Sequence, residues 1–148
     1  MKVRLLMLTK RDLKEYEQLK ADIRGLNEAI EQTYAEVQTV KYDRVGSSPQ
    51  GTTSDPTARK VKAILKMKEK RERLISKFEA IEDKILFIDD CEVSRICYQK
   101  YILGKSWEET SKHITGSKHS GTVRYILNNY LDLAEIKLNN RSRKEEGE

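Results

Sequence analysis

From Thr110 to Leu131 the chain carries no acid at all, although 24 acids stand elsewhere in it. Within that run lie Lys112, Lys118 and Arg124, both histidines of the chain (His113 and His119), and the hydrogen-bonding residues Ser120, Thr122, Tyr125, Asn128 and Asn129. Phosphate repels carboxylates, and binding to a nucleic-acid backbone rests on cations that release counterions. Arginine can pair with the edge of guanine, asparagine with adenine, and threonine or tyrosine with phosphate or a methyl group. The chemistry expected is therefore non-covalent. Lys112, Lys118, His119, Ser120, Thr122, Arg124, Tyr125 and Asn128 are the predicted contacts to double-stranded DNA, against the plainer alternative of a solvated helix face.

Other chemistries fit less well. Cys91, Cys97, His113 and His119 suggest zinc by count, but the cysteines point to different sides of one helix and the histidines straddle a turn. Neither spacing matches a common zinc pattern, so no metal site and no cofactor is expected. Six residues apart on a helix, the cysteine Cα atoms would be roughly 9 Å apart, too far for a disulfide. Two reduced, buried thiols are the plain reading. There is no glycine-rich phosphate loop, no nucleophile–base pair and no cluster of carboxylates, so the chain does not read as an enzyme.

The elements that must position the predicted contacts can be read from caps and periods. Ser106 can cap a short helix, with Glu109 completing a capping box. Trp107 and Ile114 then share one face, and Trp107 is expected as a core anchor. Gly116 sits where a helix would end in a left-handed residue. Ser120 is a second capping serine, and Val123, Ile126, Tyr130 and Leu133 follow as an inward stripe. That leaves Thr122, Arg124, Tyr125, Asn128 and Asn129 facing outward. Two helices joined by a glycine-containing turn form the helix-turn-helix pattern. Ahead of them, Asp89-Asp90 suits a helix start, Val93, Ile96, Cys97 and Tyr101 fall on one side, and Gly104 ends the segment. A three-helix unit is thus expected over residues 89–140, with its boundary near Phe87 to Asp90, unless this helix continues the preceding arm through a kink. The polar tail 141–148 is expected to fray.

The front half reads as a helical hairpin. Met1 to Leu8 is a short apolar lead-in, and Thr9 with Asp12 can start a helix. Tyr16, Leu19, Ile23, Leu26, Ile30 and Val37 repeat as a heptad seam, with Thr33 in the missing slot, over about Lys10 to Val40. Gly25 weakens that helix by about 1 kcal/mol relative to alanine. KYDRVGSSPQGTTS, the loop 41–54, breaks the period and is either a connector or functional. Asp55-Pro56 restarts a helix, and Ile64, Met67, Leu74, Phe78, Ile81, Ile85 and Ile88 form a matching seam with Arg71 in one slot. Antiparallel folding sets Ile30 near Met67, Ile23 near Leu74 and Tyr16 near Ile81. Net −4 between Asp12 and Glu36 faces net +7 between Thr57 and Lys77, which favours flanking salt bridges and leaves cations for phosphate. Residues 1–88 are expected as this coiled-coil hairpin. A thin two-helix hairpin is marginal alone, so it is expected to pack against another copy or against the C-terminal unit, and a homodimer is the inference, whether the seam closes within the chain or between chains.

The totals agree with an all-α class. In 148 residues, 37% hydrophobic and 36% charged, only two prolines and seven glycines interrupt the chain, which suits long solvated helices. The net charge of +5 permits a polyanionic partner without demanding one. Neither a signal peptide nor a stretch of membrane-spanning length is visible, so a cytoplasmic protein with no membrane partner is expected.

CYQKYILGKSWEETSKHI and TVRYILNNYL together resemble the promoter-reading, C-terminal helix-turn-helix of bacterial sigma factors: a tyrosine-rich helix ending in Gly, then Ser-Trp-Glu-Glu, a turn, and Val-Arg-x-Ile. With its coiled-coil front and its KYDRVGSSPQGTTSDPTARK connector, the whole chain is similar to small phage and prophage proteins of the ArpU/RinA type. The resemblance implies a sequence-specific transcription regulator in a bacterial host, acting at a phage late promoter alongside RNA polymerase. It implies base reading at the start of the third helix, by Arg124 with Ser120 and Thr122 before it. The turn between Ile114 and Val123 is longer than in the sigma pattern, and Gly121 replaces a usual contact, which leaves the reading register open. The competing functions are a small terminase-like packaging protein and a coiled-coil interaction adaptor.

Overall fold

The computed structural model describes residues 7–43 and 56–147, and it is all-helical among them. The helices are α1 (Lys10–Asp43), α2 (Pro56–Leu86), α3 (Cys91–Cys97), which runs on through a π-helical turn (Tyr98–Ile102), α4 (Trp107–Thr115) and α5 (Gly121–Glu146). Most of the lead-in Met1 to Leu8, most of the loop 41–54 and the capping Asp55 lie outside the described residues. Pro56 takes the first helical position, as its fixed φ favours.

The compact units do not divide at residue 88, where the sequence placed the domain boundary. One comprises Met1–Gln18 with Phe78–Glu148, the other Leu19–Lys77. The open end of the hairpin thus belongs with the C-terminal helices. Residues far apart in the chain come together there: Leu13, Tyr101, Leu127 and Leu131 line one cavity, and Lys10 pairs with Asp132 at 2.7 Å.

In the first unit, α1 starts on a reciprocal cap. The Asp12 amide donates to Thr9 Oγ1 at 3.1 Å and the Thr9 amide to Asp12 Oδ2 at 3.0 Å. Leu13, Tyr16, Ile81 and Ile85 are buried along the first turns of α1 and the last of α2. Tyr16 stacks on Phe78, centroids 4.4 Å apart, and its hydroxyl donates to Glu82 at 3.1 Å. These partners straddle Ile81, so the antiparallel register expected from the seams holds here. Asp90 caps α3 by accepting from the Glu92 and Val93 amides. Val93, Ile96 and Cys97 are buried against the rest of the unit. Cys91 is exposed, against the expectation of two buried thiols, because it is the first residue of α3 and lies off that face; both thiols are free.

In the second unit, Ile30, Val37 and Ile64 form a small buried cluster with Met67 packed on it. Met67 thus packs on the cluster that holds Ile30, and side chains of α1 and α2 meet there within the chain. Arg71 donates to Asn27 at 3.0 Å and Lys60 pairs with Glu36 at 3.2 Å across the two helices. Exposed pairs of this kind contribute little stability but fix pairing.

The tail expectation is overturned in part. α5 runs to Glu146, so residues 141–146 are helical, and the Gly147 amide closes the end on the Arg143 carbonyl. Among the described residues no helix is long and apolar enough to cross a membrane.

Candidate nucleic-acid interface

The frame of the predicted site is α4, the turn after it and the first half of α5. Ser106 and Glu109 form the expected capping box: Ser106 Oγ accepts from the Glu109 amide at 3.1 Å, and Glu109 Oε2 from the Ser106 amide at 3.3 Å. Gly116 closes α4 at φ 80°, and its amide donates to the Lys112 carbonyl. A side chain at that φ would be strained, which is why glycine stands there.

The long turn is held by α4 itself. Ser111 is fully buried, and its hydroxyl lies 2.8 Å from the Ser117 carbonyl and 2.7 Å from that of His119. Its single proton serves one of them at a time. Thr115 Oγ1 donates to the Ser111 carbonyl at 2.8 Å and accepts from the Ser117 amide at 3.2 Å. Two hydroxyls thus fix the added residues of the turn. Ser120 does not act as the side-chain cap expected of it. Its backbone is helical, at φ −79° and ψ −7°, so its hydroxyl is not placed to accept from the first turn; its carbonyl instead accepts from the Arg124 amide at 3.0 Å.

The inward stripe of α5 is Val123, Leu127, Leu131 and Ala134. Ile126 and Tyr130 are half-buried at its edge, and Leu133, expected inward, is exposed. The sequence pattern gave the right face but centred it off by part of a turn, because spacings of three, four and three average less than the 3.6 residues of a helical turn and drift around the helix. Of the predicted contacts, Lys112, Lys118, His119, Thr122, Arg124, Tyr125 and Asn128 are exposed, and Ser120 is half-buried. The structure gathers them on α5, the turn and the last turn of α4, but not on one face. Thr122, Tyr125 and the exposed Asn129 lie opposite the buried stripe. Arg124 and Asn128 lie on the flank toward Trp107.

That flank holds features the sequence reading missed. Trp107 is half-buried rather than a core anchor. It is the first residue of α4. Tyr101 meets it edge-on, centroids 6.4 Å apart at 90°. Lys100 Nζ and Arg124 Cζ each stand 5.3 Å from its ring centroid. A cavity of about 270 Å³ beside it is lined by Lys10, Lys14, Glu17, Tyr101, Trp107 and Asn128, among others.

Lys100 and Tyr101 reach Trp107 from the π-helical turn. α-helical spacing from Val93, Ile96 and Cys97 would next bring Lys100 inward. In the wider turn Gln99 is the buried residue. The chain then leaves through Gly104 at φ 70°. No propensity marks such a turn in the sequence; only Gly104, read as a stop, hinted at it.

Burial pushes the Cys97 thiol up to about 12, and raises Tyr101 and Tyr130 as well. These groups stay protonated at neutral pH. Among the described residues no group of three or more His, Cys, Asp or Glu is placed to hold a metal ion. Nothing matches the chain in comparisons with family models, curated proteins and solved structures.

Proposed function

We propose that the chain is a sequence-specific regulator of transcription that binds double-stranded DNA through α4, the turn and the first half of α5, in the manner of a phage late-operon regulator. The observation that carries this reading is the set of side chains that α5 exposes on its open face and on the flank beside it. Thr122, Arg124, Tyr125, Asn128 and Asn129 are all exposed over a fully buried Val123–Leu127–Leu131 stripe, and no carboxylate interrupts the run from Thr110 to Leu131. An exposed helix face backed by a rigid core is what groove contact needs, and an acid-free one lowers the cost of approaching phosphate.

The reading includes a homodimer on a two-fold operator and contact with RNA polymerase. Ile30, Val37 and Ile64 meet within the chain, and the dimer pairs outside that cluster. Light scattering should give a dimer; a large ring would favour the DNA-packaging alternative.

The test is titration with duplex DNA, selected from a random pool, at several salt concentrations. Affinity should fall steeply as salt rises. Arg124→Ala should weaken binding to the selected duplex by about 10-fold or more, with little change for unrelated DNA. Unchanged affinity and site preference would refute the assignment.

A further inference from the structure

We infer that Trp107 is the positioning residue for Arg124, and that the arginine it holds reads a guanine in the bound duplex. The inference rests on the DNA-binding reading above and deepens it by naming a base and the device that selects it.

Two cations approach one indole ring, each 5.3 Å from its centroid. They are not equivalent. Lys100 has a carboxylate within reach, Glu17 at 4.0 Å, and its side chain is only 19% exposed. Arg124 is exposed and, among the described residues, has no carboxylate partner. Lys100 is thus a balanced structural charge, and Arg124 is the cation with its hydrogen-bonding capacity unspent.

The indole is itself fixed. Trp107 follows the Ser106–Glu109 capping box, and Tyr101 holds it edge-on. Arg124 is anchored from the other side, since its amide closes the first turn of α5 on the Ser120 carbonyl. A guanidinium over an aromatic face keeps its five N–H donors in its own plane, free at the edge. That edge matches the O6 and N7 acceptors of guanine, which accept a bidentate pair in the major groove. An ammonium on the same ring would have neither the plane nor the fork. Holding the long side chain beforehand also removes freedom that would otherwise be lost on binding.

The test uses the full chain and the duplex selected by the wild-type protein. Affinity is compared between that duplex and the same duplex with single G·C pairs replaced by A·T. The wild type should discriminate by about 10-fold or more at one G·C pair. Arg124→Lys, which keeps the charge, should lose that discrimination. Trp107→Phe should keep most of it. Trp107→Leu, with helix content intact by circular dichroism, should fall several-fold toward the Arg124→Ala value while binding unrelated DNA as before. Combining Trp107→Leu with Arg124→Ala should add no further loss.

Trp107 is the sole tryptophan, so its emission supplies a second readout that needs no substitution at 107. It should respond to the selected duplex in the wild type and lose that response in Arg124→Ala. Full discrimination in a folded Trp107→Leu protein, independent multiplying losses in the double variant, or an unaltered emission response in Arg124→Ala would each overturn the inference while leaving DNA binding in place. A wild-type protein that selects no duplex at all would overturn the functional reading and this inference with it.

Discussion

The two compact units bury their apolar side chains to different depths. In the unit that holds α3 to α5, Val93, Ile96, Cys97 and Val123 are 0–1% exposed, and helices meet from several directions. In the unit Leu19–Lys77 the buried cluster is Ile30, Val37 and Ile64, at 5–9% exposure, with Ile23, Leu26 and Leu74 only half-buried. A side chain among three or more helices can be enclosed on all sides. A side chain in a two-helix seam keeps an open flank, however regular its heptad. The same residue types should therefore carry unequal weight in the two units.

The largest effect expected follows from that difference. Ile96→Ala removes a side chain with no exposure and leaves a cavity that a multi-helix core cannot easily fill. It should cost about 3–4 kcal/mol, within the range for buried aliphatic truncations. Ile64→Ala, in the seam, should cost about 2 kcal/mol, because neighbouring side chains and water can reach the gap. Urea titration gives both numbers. Amide exchange shows where they act: the first should loosen the amides of α3 and α5, the second those of Leu19–Lys77. Equal costs at the two positions would erase the contrast.

The depth of each core was unevenly legible in the sequence. The hairpin seams followed from period alone, and residues such as Tyr16, Ile30 and Ile81 fall where their spacing put them. Caps were legible for the same reason, since Thr9, Asp90, Ser106 and Gly116 act through contacts within a few residues. The division between units was not legible, because it depends on residues far apart in the chain coming together, such as Leu13 with Leu127 and Leu131 around one cavity and Lys10 with Asp132. The turn after α4 was hidden too. Ser111 looks like any polar helix residue, yet its hydroxyl holds two carbonyls of the turn. The residue types of the candidate interface could be chosen from charge and helix face. Its Trp107 flank also involves Lys100 and Tyr101 from the π-helical turn, which leaves no periodic trace.

Ionisation should separate the units next. Cys97 is buried in the first unit and its thiol is pushed up to about 12 from an ordinary 9.0, while Leu19–Lys77 contains no cysteine. Above the ordinary value the unfolded chain loses a proton that the folded chain retains. Stability is therefore fully present below about pH 9 and declines as pH rises toward 12, by up to about 1.4 kcal/mol per pH unit. Tyr101 and Tyr130, also raised by burial, act in the same direction at higher pH. Urea titrations at pH 8, 10 and 11, followed by Trp107 emission, should show the decline, and Cys97→Val should remove its first part. A flat profile in the wild type would mean that water reaches Cys97, and that the first unit is no better enclosed than the seam. Thiol labelling at neutral pH offers the same contrast within one helix, fast at the exposed Cys91 and slow at Cys97.

The smallest effect bears on whether the contrast is also a thermodynamic boundary. Gly25 lies in the interior of α1 within the second unit, and a Cβ built there meets nothing within 4 Å. Gly25→Ala should therefore stabilise by about 0.5–1 kcal/mol, by restricting the unfolded chain and favouring helix. α1 and α2 each run through both units, so the added stability has two possible destinations. If the units open separately, amide protection should rise within Leu19–Lys77 and stay unchanged in α3 to α5. The thin seam makes that the expected outcome, because its half-buried residues give it the lower opening cost. An equal rise across α3 to α5 would show that the continuous helices bind the two packing regimes into one cooperative unit.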